Sequence, residues 1–306
     1  MQSYDTSIGG NAGNWSPVWP IDKISKALAD DQDRQAEIQD LVSKLTFYPF
    51  YTVIDEPFTN TPGQTVLGKF PGIANPVLIT SAQTTSPEVL VEMKSQTLNQ
   101  ILTTNPVLMP AIASQPGSAN PYQYWQNPLL VPPTGVLQFK FTDRTLSGAG
   151  QGPGKLTLQG HALIQSNDAI INQMTQRLFA LLNNYPLWVH VDIQFTGSPA
   201  DGQKTNSFDG IANPIIIIGA TTNLLDGTVQ MQVQTLSNQS CMQTPVPLNS
   251  FAGISTGLSP VLYFPTPLVI PPMSNLVFKF FQSITNPQPA GDLGLLARVI
   301  GNGFWS

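Results

Sequence analysis

The side chains that could do chemistry are few, and their spacing assembles no familiar reaction centre. The chain holds two histidines, His161 and His190, and a single cysteine, Cys241. A zinc hydrolase needs two histidines one helical turn apart with an intervening glutamate, and a structural zinc needs several Cys or His ligands. Neither spacing occurs here. Cys241 has no histidine at a telling distance and reads as a small buried hydrophobe rather than a nucleophile. His190 lies on an alternating stretch, Leu187 to Phe195, where Trp188, His190 and Asp192 interleave with Val189, Val191 and Ile193; it reads as a polar-face strand residue. Asp55 and Asp192 are two carboxylates, but glycosidic cleavage needs such groups facing each other across one cleft. The segment from Gly148 to Leu156 imitates a phosphate-binding loop and fails it twice. Ala149 takes the place of the first glycine, and Leu156 stands where a magnesium-binding hydroxyl belongs. The expectation is therefore no catalytic residue, no cofactor and no metal.

Two groups of aromatic residues are left over. Tyr122, Tyr124 and Trp125 cluster among proline and glutamine, and Trp15 and Trp19 flank Pro17 near the start of the chain. The first reads as a core edge or a subunit contact, and the second as an anchor on a neighbouring copy or a tail whose tryptophans fold onto their own domain; both are candidate assembly residues. The first would also serve as a platform on which a sugar ring stacks.

Composition narrows the partners. Of 306 residues, 41% are hydrophobic, enough for sizeable cores, while only 10% are charged, against roughly 25% in an average soluble protein. So few charges suit large, lasting interfaces, where charged residues are depleted. The net charge is -5 and no cluster of basic residues occurs, which argues against direct binding to nucleic acid. The start of the chain, with no basic region ahead of an apolar run, does not read as a signal peptide, and no apolar run approaches the roughly 20 residues of a membrane span.

The chain repeats itself. Tyr48-Pro49-Phe50-Tyr51-Thr52-Val53-Ile54-Asp55 matches Tyr185-Pro186-Leu187-Trp188-Val189-His190-Val191-Asp192 at an offset of 137. The stretch Phe70 to Pro76 matches Phe208 to Pro214 at 138, as Val91, Met93, Gln96, Thr97 and Leu98 match Val229, Met231, Gln234, Thr235 and Leu236. Pro128 to Phe141 matches Pro267 to Phe280 at 139. An interval this long marks duplicated domains, not a solenoid. Asp55 and Asp192 are thus equivalent positions, which points to a shared structural role.

Each copy opens with an amphipathic helix. Ile24, Leu28, Ile38, Leu41, Val42 and Leu45 share a face in the first; Ile171, Met174, Leu178, Leu181 and Leu182 do so in the second, with Ser166 and Asn167 as cap candidates. The polar face of the first helix is net acidic, so contact with anionic lipid is expected only indirectly. Tyr-Pro ends each helix. Seven or eight short strands follow per copy, without intervening helices, which disfavours a parallel α/β fold. The reading is a mainly β protein of two tandem antiparallel β-sandwich (jelly-roll-like) domains. An arm covers 1–23, a helix and first sandwich 24–165, and a helix and second sandwich 166–306.

The duplicated blocks, above all Pro128 to Phe141 and Pro267 to Phe280, make the chain resemble the double jelly-roll major capsid proteins of icosahedral, often membrane-containing bacteriophages, and more broadly tandem β-sandwich phage virion proteins. That resemblance implies a virion protein assembled in the host cytoplasm, whose partners are itself, as a homotrimer presenting six jelly rolls, and other virion proteins. Two alternatives stay open: a neck, collar or tail component of a tailed phage, and a carbohydrate- or receptor-binding module.

Overall fold

The computed structural model describes residues 21–58, 63–86, 88–115, 123–143, 154–193, 195, 202–224, 229–235, 242, 244–254, 261–282 and 291–300. The first half comprises α1 (Ile21–Lys44), β1 (Phe47–Glu56), β2 (Thr65–Phe70), β3 (Val77–Thr84), β4 (Val89–Ser95), β5 (Gln100–Ile101), β6 (Val107–Leu108), a 3-10 turn (Met109–Ala111), β7 (Gln123–Val131), β8 (Leu137–Asp143) and β9 (Gly154–Leu163). The second comprises α2 (Ala169–Leu181), β10 (Pro186–Ile193), β11 (Gln203–Phe208), β12 (Ile215–Thr222), β13 (Gln230–Thr235), β14 (Val246–Pro247), α3 (Leu248–Phe251), β15 (Gly253–Ile254), β16 (Leu262–Ile270), β17 (Leu276–Phe281) and β18 (Gly291–Val299). No described helix is long and apolar enough to cross a membrane.

Strand order identifies the fold. One sheet of the first unit runs β1-β9-β3-β7; the other runs β2-β8-β4, with β5 and β6 both on the far edge of β4. The second unit repeats this as β10-β18-β12-β16 and β11-β17-β13-β14, with β15 adding a short parallel pair to β12. This is the jelly-roll order twice over, antiparallel apart from that pair. Period-two alternation places Ile54, Ile79 and Leu156 of one sheet against Phe70, Met93, Phe139 and Phe141 of the other, all buried. Val191, Ile217 and Leu293 face Phe208, Val233, Phe278 and Phe280 in the second unit.

Ladder registers refine the repeat. Ser95 faces Leu137 and Thr235 faces Leu276, so β4 and β13 correspond at an offset of 140, not the 138 that matching letters suggest. The two extra residues fall in the longer connection between β12 and β13. A slip of two leaves every side chain on its original face, so the identities matched while the spatial partners differ.

Both helices end before the Tyr-Pro pairs, at Lys44 and Leu181. Pro49 lies inside β1 and Pro186 opens β10; each strand is a sheet edge, where a missing N–H is tolerated. The cap of α2 is Asp168, whose carboxylate accepts from the backbone N–H of Ile170 and Ile171, while Ser166 Oγ accepts from the Asp168 N–H. The apolar stripe of α1 divides along its length. Ile38, Leu41 and Leu45 join Leu178, Leu181 and Leu182 of α2 over Leu78, Leu130 and Leu163 of the first unit. Ala27 packs in a cluster with Trp188, Ile216, Val269, Leu296 and Ile300 of the second. The helix pair is therefore a layer between the two units.

Candidate assembly interface

The largest feature held in common by the two units is the seam between them. Its centre is β10, whose outward side chains are Trp188, His190 and Asp192. The Trp188 N–H donates to Leu102 O at 2.9 Å, and its carbonyl accepts from Thr104 N–H at 3.1 Å, so a backbone bridge crosses from one unit to the other. The Trp188 ring meets Trp125 of β7 edge-on at 4.8 Å between centroids, an arrangement worth about 0.5–1.5 kcal/mol beyond the area it buries. Trp125 Nε1 donates to Ile112 O at 2.8 Å. Beside the tryptophans, Val107, Pro110 and Ala111 of the first unit close on His190, Thr222, Asp292 and Gly294 of the second, leaving a void of only ≈ 10 Å³. A Cβ on Gly294 would come within 3.0 Å of the Ala111 Cβ, so glycine is what permits this approach. At the edge of the seam, Tyr263 Oη donates to Tyr124 O at 3.0 Å, and burial raises its phenol pKa.

A buried ionic cluster ties α1 to both neighbours. Asp31, Arg34 and Arg298 are each at least nine-tenths buried. Asp31 takes Arg34 Nη2 at 2.5 Å and Arg298 Nη2, from β18, at 2.9 Å. Arg34 Nη1 also donates to Leu181 O at the end of α2, where the orphan carbonyls of a helix favour a cation. The Gln35 carboxamide, with Oε1 turned to the guanidiniums, accepts from both arginines at 3.1 Å. Burial pulls the Arg298 pKa down, opposed by the Asp31 carboxylate beside it. On the outer side, Arg177 of α2 grips Glu37 of α1 through two hydrogen bonds of 2.6 and 2.8 Å. Those bonds hold the Glu37 carboxyl below its ordinary range.

His190 is not the isolated polar residue that its place in the sequence suggests. Its Nε2 sits 2.7 Å from Asp292 and 3.3 Å from Asp192. Asp292 is otherwise held by Asn223, which bonds both its carboxylate and its N–H, and by Thr222, which donates to its carbonyl. The three ligand atoms lie within 4.8 Å of one another, the one such grouping among the described residues. A dense hydrogen-bond set already engages His190 and Asp292, so the arrangement works as a polar plug at the seam. Asp55 has a different partner. It pairs across the strand with Lys155 at 3.4 Å, and the position of Lys155 is taken in the second unit by Asp292. The equivalent aspartates therefore do not share one role.

No protein-family model matches the chain, and no curated protein does. Among solved structures, the chain is similar to the major capsid protein P2 from Bacteriophage PM2, with 9% identity over 82% of this chain and 98% of that one, at a TM-score of 0.43. It is similar to a chain of Sulfolobus Turreted Icosahedral Virus at 15% identity, over 81% of this chain and 59% of that one, with a TM-score of 0.22. It is also similar to the ANXUR1 extracellular domain from Arabidopsis thaliana, at 8% identity over 84% and 90%, with a TM-score of 0.25. A bacteriophage capsid protein, a chain of a second virus and a plant extracellular domain thus stand together among the similar structures.

The candidate assembly residues fare differently from one another. Trp15, Trp19 and Tyr122 lie outside the described residues, as does Cys241. Tyr124 is 63% exposed, whereas Trp125 is buried at 4%. The two do not form one exposed platform, because adjacent strand residues point to opposite faces. Trp125 is an internal seam contact, and no local pattern points to its partner 63 positions away. Asp31 and Arg34, which sequence reading counts with the polar face of the first helix, are buried, and Arg298 carries no sequence signal of its own. The signal of Asp31 and Arg34 was present in part: two opposite charges three apart inside an apolar helix stripe.

Proposed function

We propose that this chain is a structural protein of a virus particle, built to assemble into the shell as trimers that each present six jelly rolls. The observation that carries the reading is the duplicated jelly roll held as one block, with a closely packed tryptophan seam, a backbone bridge and a helix layer clamped by buried ion pairs. A binding module on a flexible linker has no use for such a block. A tile needs it, because its lattice contacts are only as exact as the angle between its two units. Sparse charge supports the same reading, since the remaining surface is suited to further interfaces. Partners are other copies and other virion proteins; catalysis, a cofactor and direct nucleic-acid contact form no part of the reading. Imaging of native particles with copy counting tests it. Hundreds of copies arranged as threefold tiles are expected. A dozen or fewer at a neck or tail would move the protein there, and absence from particles, with measurable sugar affinity, would leave the binding-module reading.

A further inference from the structure

The seam inside the chain uses two different surfaces, and duplication means that each unit carries a version of both. The first unit contributes the face formed by β6, the 3-10 turn and β7. The second contributes the outward strip of β10. That leaves two counterparts unused: the outward strip of β1 in the first unit and the face of β14, α3 and β16 in the second.

The correspondence is set by hydrogen-bond register. Tyr51, Val53 and Asp55 on β1 occupy the places of Trp188, His190 and Asp192. Yet Trp188 is 1% exposed, while Tyr51 and Val53 are 57% and 50% exposed. On the other face, Val107 and Leu108 pair with β4 as Val246 and Pro247 pair with β13. The Ala113 N–H bonds Met109 O as the Ala252 N–H bonds Leu248 O. This sets Ala111 against Ser250, and Ile112 against Phe251. Phe251 packs on Phe264 at 4.8 Å as Ile112 receives Trp125. Ala111 is buried in the seam; Pro247, Asn249 and Ser250 are exposed. Tyr124 and Tyr263 are equivalent too, and only Tyr263 reaches across to a neighbouring carbonyl.

We infer that the β1 strip of one copy, Tyr51 and Val53, docks on the β14–α3–β16 face of the next copy, repeating the internal seam between chains. The exposed Tyr124 then donates to Tyr263 O of that next copy, as Tyr263 donates to Tyr124 O within one. The inference rests on the assembly reading above and names its partner, a second copy of this chain. The interface is head-to-tail, because its two surfaces differ, and such a contact closes into a ring when the rotation permits. A turn of about 60° per unit closes six units, which is three copies. The new contact is a looser version of the internal one. Thr157 stands where Gly294 admits Ala111, and its side chain holds the neighbour further off.

The experiment uses the full chain. Val53→Glu breaks the head and Ser250→Arg breaks the tail, each at an exposed position, with circular dichroism confirming the native fold. Light scattering should find the parent protein assembled and each variant dissociated, its half-assembly concentration raised at least about tenfold. Mixed together, the two variants retain one sound head and one sound tail, so they should form one-to-one pairs and no ring. Val53→Cys with Ser250→Cys, on a Cys241→Ser background, should cross-link between chains under mild oxidation. If both charged variants assemble like the parent and the cysteines stay unlinked, the inference falls, while a high copy number in particles would leave the shell reading standing. A parent that stays monomeric and is absent from particles sinks both.

Discussion

Two strands in equivalent places meet opposite fates. β1 and β10 are each the edge strand of the corresponding sheet in their unit, paired in the same register with β9 and β18. On β10 the outward side chains are Trp188 and His190, covered by the other unit, and Asp192, whose side chain beyond them stays 44% exposed. On β1 they are Tyr51, Val53 and Asp55, open to solvent. The neighbouring strand has changed to match. Lys155 beside Asp55 becomes Asp292 beside Asp192, and Thr157 beside Val53 becomes Gly294 beside His190. The inward faces stay apolar in both units, because each must fill a sandwich. The outward faces diverge, because what covers them differs. In a duplicated protein, the departures from the repeat therefore locate its interfaces.

Substitution at the paired positions should reproduce that contrast. Trp188→Ala removes a fully buried indole from the seam and should cost about 3–5 kcal/mol of unfolding free energy. Tyr51→Ala, at the same place in the sheet, should stay within about 0.5 kcal/mol. Urea unfolding of dilute, dissociated protein measures both. Comparable losses at the two sites would mean that β1 is covered within the single chain after all, and the contrast would fail.

Much of this architecture was legible in advance because it is written in local pattern. Val189, Val191 and Ile193 alternate with the polar face of one strand, and Pro128 to Phe141 recurs as Pro267 to Phe280, so the sandwich pair could be read from periodicity and repetition. What covers an outward face could not, since nothing in the letters around Trp125 points to Trp188. The amphipathic stripe of α1 announced that one face is buried, but not that Ala27 would meet the second unit while Leu41 meets α2. The cap of α2 is Asp168 and not the candidates Ser166 and Asn167, two and one residues before it; residue type alone does not decide, because all three types cap helices well. His190 was undervalued because its carboxylate partner, Asp292, lies 102 residues away.

An exchange of residues sharpens the comparison at smaller scale. His190→Val gives the covered strip the residue of the bare one and strips Asp292 of a hydrogen-bond partner at 2.7 Å. Asn223 still holds the Asp292 carboxylate, so the loss is that of one hydrogen bond to a charged group, about 1.5–3 kcal/mol, and the smaller valine adds a gap beside Ala111. The reverse exchange, Val53→His, meets solvent and should change the unfolding free energy by less than about 0.5 kcal/mol. If His190→Val proves neutral, the hydrogen-bond set around Asp292 tolerates the loss, and the polar plug is not what holds that corner of the seam.

The smallest effect expected concerns the helix layer, which repeats the contrast between covered and bare within one pair of helices. The Asp31–Arg298 contact is buried; the Glu37–Arg177 pair lies on the outer side, with side chains 38% and 57% exposed. Hydrogen bonds from Arg177 hold the Glu37 pKa below its ordinary value of 4.5. A carboxylate whose folded pKa is depressed stabilises the fold above its unfolded pKa, and that contribution disappears as pH falls through the folded value. The parent should therefore have a slightly higher urea midpoint than Glu37→Gln at pH 7. The gap should hold down to about pH 4.5, close beneath it, and shrink with added salt, since the pair is open to screening. Subtracting the variant from the parent at each pH removes the titration of every other carboxylate. A gap that persists under acid and high salt would show that the Glu37 side chain acts through packing between α1 and α2, and that the outer side of the helix layer is as closed as the inner.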